Sequence, residues 1–320
     1  MTPASTPGGL RFRLRQRRPL LAVELRPPRR DLAGDRALDA WIDVYQAVRR
    51  LSRADTVIFL TDDAVGTGEE ESVTHLVRNL GPDARRERIV PFLTLKHPLA
   101  YCLRFAHRAA EEGFPGLVVL GGDAAVGPPR CLPRSWQLRE KLRAARPGLL
   151  LGGWVNPFRD PAEMVSLLLD HGDGLDFLLT QVVSHHAPAP LERFLGEADR
   201  RGLDLPLFAG VFFWRSARRG TLDALARFLP VPREGLAREF GREGLGPAEV
   251  AARTLRWLAG LGLTRFYVSN LPTARAASLL AEIADRAGVP PPEGLARLAT
   301  GAGGSHGRDP GCPGGAPRGG

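Results

Sequence analysis

The sequence predicts a (β/α)₈ barrel in one domain, and three observations lead there. Eight short, nearly continuous apolar runs are spread along the chain. Helix-period segments separate them, and almost every run ends in a polar or small residue. Runs apolar on both faces suit the buried strands of a parallel sheet, and polar strand ends suit a barrel, which carries its chemistry at the C-terminal ends of its strands. The length of 320 residues accommodates a barrel of roughly 250 residues with tails. A doubly wound open sheet, the competing architecture, normally carries a Gly-rich turn after its first strand. Here that strand runs into Arg26-Pro27-Pro28-Arg29, and no such turn follows.

The elements are expected in this order. Leu20–Leu25 (LLAVEL) is a strand, apolar but for one acid, and Ala37–Leu51 is a helix with apolar residues three and four apart. Thr56–Thr61 (TVIFLT) is the second strand, followed by a helix over Glu70–Leu80. Ile89–Leu95 (IVPFLTL) and the helix Leu99–Glu112 come third. Gly116–Gly121 (GLVVLG) and Ser135–Ala145 come fourth, then Leu149–Trp154 (LLLGGW) and Ala162–His171, then Leu175–Gln181 (LDFLLTQ) and Pro190–Arg201. Leu205–Phe212 (LPLFAGVF) is the seventh strand. A longer stretch follows it, with helices near Thr221–Phe228 and Pro247–Leu261 and a third around Glu234–Phe240. Arg265–Asn270 (RFYVSN) and the helix Thr273–Ala287 close the barrel.

The ends read differently. Residues 1–18 hold five arginines and no acid and are expected to form a flexible basic arm. Residues 300–320 (TGAGGSHGRDPGCPGGAPRGG) have no apolar pattern to offset the entropy of ordering and are expected to be a disordered tail. The catalytic domain is therefore expected over 19–299.

The net charge is +9 and the pI about 10.5, carried almost wholly by arginine. Such a surface attracts polyanionic ligands such as flavin phosphates, a nicotinamide dinucleotide or a polyglutamate tail. No zinc-finger spacing, RNP-like motif or basic heptad points to nucleic acid. Cys102, Cys131 and Cys312 are three and irregularly spaced, which argues against a disulfide framework and against a structural zinc site. No run reaches the roughly 18 apolar residues of a membrane span, and the N-terminus lacks a signal-peptide core. A cytoplasmic protein is expected, with no membrane or nucleic-acid partner.

Read together, the strand ends resemble the methylenetetrahydrofolate reductase family. AVELRPPR is similar to that family's FEFFPP, with the acid at Glu24 and prolines at Pro27 and Pro28. VIFLTDD resembles the VTDN variant of a subgroup, LVVLGGD the LALRGD or LALTGD strand, GGWVNPF the subgroup's GAAVNPF, and GLDFLLTQ the family's GADFIITQ. RRGLDLPLFAGVFF is similar to RAAGIDVPIIPGIMP. FLPVPREGLAREFGREG and GLTRFYVSN resemble the family's helix insertion and its last strand. The resemblance runs from about Leu20 to Ala287 in order.

This resemblance implies an oxidoreductase of one-carbon metabolism with FAD as cofactor and NAD(P)H as reductant. Hydride would pass through the flavin to 5,10-methylenetetrahydrofolate, giving 5-methyltetrahydrofolate. It implies Glu24 as the acid that protonates a ring nitrogen, a step that general acids typically accelerate by about 10²- to 10⁴-fold. It implies Asp123 beside flavin and substrate, and Gln181 on the pterin edge. Thr61, Asp62, Thr94, Gly121, Gly122, Asp123, Trp154 and Asn156 would form the cofactor cradle. Five places depart from the family pattern: FLTLKHPL, the Gly121 of LGGD, LLDHGDGLDF, Leu271 and WRSARRG. Family residues that hold cofactor phosphate are missing at such places, and Lys96, Arg159, Arg218 and Arg219 are the candidates to hold it instead.

Two other readings stand beside this one. The same fold with its flavin site decayed would act without flavin or as a non-catalytic partner subunit in one-carbon metabolism, and a homo-oligomer or a partner subunit is the expected assembly. A barrel aldolase or lyase would need a Schiff-base lysine or metal ligands at strand ends, and Lys96 is the one strand-end lysine. Adjacent His185 and His186 after Gln181 read as a loop pair rather than metal ligands, because neighbours on a chain rarely face one ion and no third ligand is evident from the sequence.

Overall fold

The computed structural model describes residues 9–28, 32, 34–61, 80, 84–122 and 127–295. Its eight strands close into a barrel in sequence order, β1 to β8, with every neighbouring pair parallel. They are β1 (Leu20–Leu25), β2 (Val57–Leu60), β3 (Ile89–Thr94), β4 (Gly116–Leu120), β5 (Leu150–Val155), β6 (Phe177–Val183), β7 (Leu207–Phe212) and β8 (Arg265–Ser269). Each falls on an apolar run of the sequence, so the (β/α)₈ expectation holds. The expected helix over 70–80 lies outside the described residues, apart from Leu80, as does the tail from 300 onward.

Alternation along the strands creates two cores. Leu21, Val23 and Leu25 of β1 face outward and pack with the surrounding helices. Leu20 and Ala22 face inward, with Phe59, Phe92, Phe177, Phe208 and Tyr267. Phe59 stands at the centre of this lumen, edge-on to Phe208 and Tyr267 at ring separations of 5.3 and 6.0 Å. The lumen is thus a packed core and not a channel.

Residues 9–18 of the N-terminal arm are among those described. Residues 10–15 form helix α1 (Leu10–Arg15), with Leu10 and Leu14 buried against the lumen residues. These two leucines, one helical turn apart, cover the apolar floor that the strand N-termini would otherwise expose. Arg11 and Arg13 fasten the plug. Arg11 donates to Gly148 O at 3.2 Å and Arg13 to Asp55 O at 3.0 Å, while Arg265 at the start of β8 donates to Gln16 O at 3.0 Å. Leu14→Ala is expected to cost about 2 kcal/mol, the low end for a buried leucine because a helix end can settle inward; urea unfolding monitored by circular dichroism checks this.

The remaining helices cover the barrel wall: α2 (Asp35–Arg53), α3 (Leu99–Glu111), α4 (Ser135–Ala145), α5 (Pro161–His171), α6 (Ala189–Arg200), α9 (Pro247–Gly260) and α10 (Ala276–Ala287). Between β7 and β8 lie the short helices α7 (Arg219–Leu225) and α8 (Arg233–Ala237), the latter running into a π-helical turn over Arg238–Arg242. No helix among the described residues is long and apolar enough to cross a membrane.

Candidate functional site

The inward register carries four of the expected site residues to the C-terminal mouth. Glu24 continues the inward series Leu20–Ala22, Thr61 follows Phe59, Thr94 follows Phe92, and Trp154 packs on the lumen core. Gln181 lies near the end of β6. Asn156 lies just beyond Trp154, and Gly121 and Gly122 follow β4. Asp62 and Asp123 lie outside the described residues.

Glu24 is 7 % exposed. Arg26 approaches it at 3.4 Å, but the Arg26 side chain is 73 % exposed. A solvent-screened contact of that kind contributes about 0–1 kcal/mol, whereas taking a carboxylate out of water costs several kcal/mol. The pair therefore does not account for an acid at this position. Tyr267 lies below it, its hydroxyl donating to Thr180 O at 2.6 Å. Complete burial, and secondly the negative charge of Glu24, hold this phenol well above its ordinary pKa, so it stays protonated.

The other mouth residues divide by how they are satisfied. Asn156 Oδ1 accepts from Phe158 N at 3.1 Å and Gln181 Oε1 accepts from Val182 N at 2.9 Å. Each amide thus uses its oxygen on adjacent backbone and keeps its NH₂ to donate. Gln181 sits where the β6–β7 register shifts between Leu179 and Val182. Such bulges re-aim side chains beside functional sites, and this one carries β6 two residues past its expected end. The Trp154 ring meets Phe92 edge-on at 6.4 Å and is partly exposed, leaving a flat apolar surface at the mouth. The Thr94 hydroxyl is buried without a hydrogen-bond partner.

Of the four cations expected to hold a cofactor phosphate, Arg159, Arg218 and Arg219 are exposed, and Lys96 is buried, donating to Pro128 O at 2.9 Å. The cation at the β4 end is instead Arg130, which the sequence did not single out. Its guanidinium donates to Gly122 O at 2.6 Å and stands 3.4 Å from where a Gly121 Cβ would be. Its Nε is buried without a partner. Gly122 has φ +71°, which favours glycine and turns its carbonyl to this arginine.

A second group lies beyond β6 and corrects the reading of His185 and His186 as a pair without a third ligand. The π-turn after α8 carries Glu239, 1 % exposed, between the two imidazoles. Its carboxylate oxygens are 3.0 Å from His185 Nε2 and 3.0 Å from His186 Nε2. The contact spans more than fifty residues of chain, so no local spacing shows it. His185 Nδ1 is 2.8 Å from Thr254 Oγ1 on α9, and His186 Nδ1 is 2.8 Å from Ser184 Oγ. Arg253 also donates to Glu239, at 2.9 Å. Burial, seconded by His185, holds the His186 imidazole below its ordinary pKa despite the pull of Glu239. Burial alone would raise Glu239, but hydrogen bonds from His185 and Arg253 outweigh it and hold the carboxyl below its usual range. A cleft of about 90 Å³ adjoins this group, lined by Val182, Ser184, Trp214 and Val231 among others. It is well below the roughly 300–1,000 Å³ of ligand pockets.

No family model matches the sequence, and no curated protein does. Among solved structures, an aldolase named QR15 is 9% identical, over 77% of this chain and 88% of its own, with a TM-score of 0.42. A multifunctional pyruvate carboxylase from Rhizobium etli is 12% identical over 90% of this chain, with a TM-score of 0.52, and the match spans 28% of that longer protein. Likeness at such identity shows architecture alone, and with the closed eight-stranded parallel sheet it makes the chain a (β/α)₈ barrel protein.

Proposed function

We propose that the chain is a flavin-dependent oxidoreductase of the methylenetetrahydrofolate reductase kind, reducing 5,10-methylenetetrahydrofolate to 5-methyltetrahydrofolate at the expense of NAD(P)H. One observation carries this reading. A carboxyl group is buried at the top of an aromatic lumen, with a countercharge too exposed to explain it, and the partly exposed ring of Trp154 packs on the same lumen core. Charges are seldom placed in apolar strands without a use.

Glu24 donates a proton to a ring nitrogen of the folate, opening the five-membered ring so that its methylene carbon becomes electrophilic. Gln181 donates its amide N–H to the pterin edge. Thr61, Thr94, Gly121, Gly122, Trp154 and Asn156 line the cofactor side, and Asp62 and Asp123 join them by resemblance. FAD, when bound, supplies the hydride. The residues fit such a group: the buried Thr94 hydroxyl and Arg130 Nε lack partners, and both lie toward the β3–β4 side of the mouth, where an anionic, hydrogen-bonding cofactor would meet them. Arg130 is the cation assigned to its phosphate or its ring carbonyl.

Arg130→Ala is expected to weaken FAD binding about 10- to 100-fold, since hydrogen bonds to charged groups contribute about 1.5–3 kcal/mol. Quenching of flavin fluorescence on titration into the protein measures this. Equal affinity in wild type and variant would remove Arg130 from the site, and no binding by the wild type would remove the flavin.

A second reading, a flavin-less partner subunit, draws on Leu38 and Ile42. They lie one turn apart on α2, 61 and 46 % exposed. Colourless protein that does not bind FAD, and a dimer broken by Ile42→Glu, would favour it.

A further inference from the structure

We propose that His185, His186 and Glu239 bind one divalent first-row transition-metal cation, zinc being the best match to two imidazoles and a carboxylate. One ligand atom from each residue lies within 4.8 Å of the other two. Zinc ligands at about 2.0–2.1 Å stand about 3.3 Å apart in a tetrahedron; His186 Nε2 is 3.0 Å from Glu239 Oε2, and His185 Nε2 is 3.0 Å from the other oxygen of the same carboxylate. The donors therefore already surround a volume of the right size.

The surroundings separate a metal site from an ordinary hydrogen-bonded cluster. His186 Nε2 and Glu239 Oε2 face each other, buried and 3.0 Å apart, in an orientation poorly aligned for a hydrogen bond. A cluster built only for hydrogen bonding has no reason to leave that pair unmet, whereas an ion between them satisfies both. Each imidazole has its other nitrogen held by a hydroxyl, Ser184 for His186 and Thr254 for His185. When Nδ1–H donates to that oxygen, Nε2 keeps the lone pair a cation needs, and the ring orientation is fixed. Gly235 is required here, because a Cβ at that position would run into the His186 ring. Glu239 sits in a π-helical turn, a rare irregularity that recurs at functional sites.

The neighbouring charges are compatible with an added cation. Arg253 donates to Glu239 Oε1 but also to Glu243 Oε2, at 2.7 Å, and Glu243 is also 3.5 Å from Arg238. Glu243 thus balances the arginines and leaves Glu239 Oε2 to the ion, with Arg253 orienting the carboxylate from behind. Three protein ligands leave a fourth position for water on the side of His185, whose side chain is 20 % exposed. The ion would pin the 238–242 turn to the end of β6 and so shape the cleft beside Ser184.

The test uses the full chain, stripped with a chelator, dialysed and loaded with Zn²⁺, with metal content measured after gel filtration. One retained equivalent and a raised melting temperature are expected. Co²⁺ in its place should give the visible absorption of a four-coordinate site. His186→Ala should retain no zinc, and Thr254→Val, which keeps all three ligands, should bind about 10- to 100-fold more weakly. Folded wild-type protein that retains no zinc overturns the proposal. So does a full equivalent in His186→Ala, which would place the ion elsewhere. If His186→Ala does not fold, unchanged affinity in Thr254→Val overturns it.

Discussion

Glu24→Gln is expected to lower folate-dependent turnover by about 10²- to 10⁴-fold, the usual contribution of a positioned general acid. Glutamine has the same shape and fits the same inward position on β1, but it has no acidic proton to give. Reduction of bound flavin by NAD(P)H does not use this proton and should be unchanged. Stability should not fall either. The partner that the substitution weakens, Arg26, is mostly solvated, and an amide of the same shape is no harder to bury than a carboxyl group. The expected pattern is one lost half-reaction, one retained half-reaction and an unchanged melting temperature, read by stopped-flow absorbance and thermal denaturation. Full folate turnover in the variant would remove Glu24 from the chemistry. Loss of both half-reactions would make it a residue that shapes the mouth.

Phe59→Ala is expected to produce the largest loss of stability, about 3–5 kcal/mol. Phe59 is 0 % exposed and meets rings from four other strands: Phe92, Phe177, Phe208 and Tyr267. A lumen closed by hydrogen-bonded strands cannot contract around a missing ring, so the cavity would persist. Folding stabilities of about 5–15 kcal/mol are typical, so the loss is a large share of any such total. Phe228→Ala serves as the comparison. That ring is 72 % exposed, and its removal should change stability by no more than about 0.5 kcal/mol. Urea denaturation of the two variants measures the contrast, and equal effects would contradict the packed lumen.

The barrel was legible because its strands are buried on both faces. Runs such as TVIFLT and RFYVSN are apolar whichever way they turn, so their number and order could be read without knowing how they pair. Glu24 was legible for the converse reason, as an acid within such a run. The plug α1 was not. Leu10 and Leu14 are two apolar residues among five arginines, and only the strand floor they cover gives them meaning. Arg130 could not be told from the other arginines by sequence, since what marks it is the turn at Gly122 that aims a carbonyl at it. The histidine–glutamate group depends on the β7–β8 insertion folding back over the end of β6. Two neighbouring histidines read as a loop pair until Glu239 and Thr254 arrive from distant helices. Local pattern reports burial, and sites assembled across loops need the closed chain.

The claim beneath the functional reading is that a proton donor and a bound flavin meet at the C-terminal mouth. The visible spectrum of the FAD-loaded protein under anaerobic conditions tests it most directly. The account predicts yellow protein after gel filtration, bleached by NADH or NADPH and restored to yellow by 5,10-methylenetetrahydrofolate. Protein that leaves gel filtration colourless after incubation with excess FAD would contradict it, as would bound flavin that is bleached but not restored by the folate.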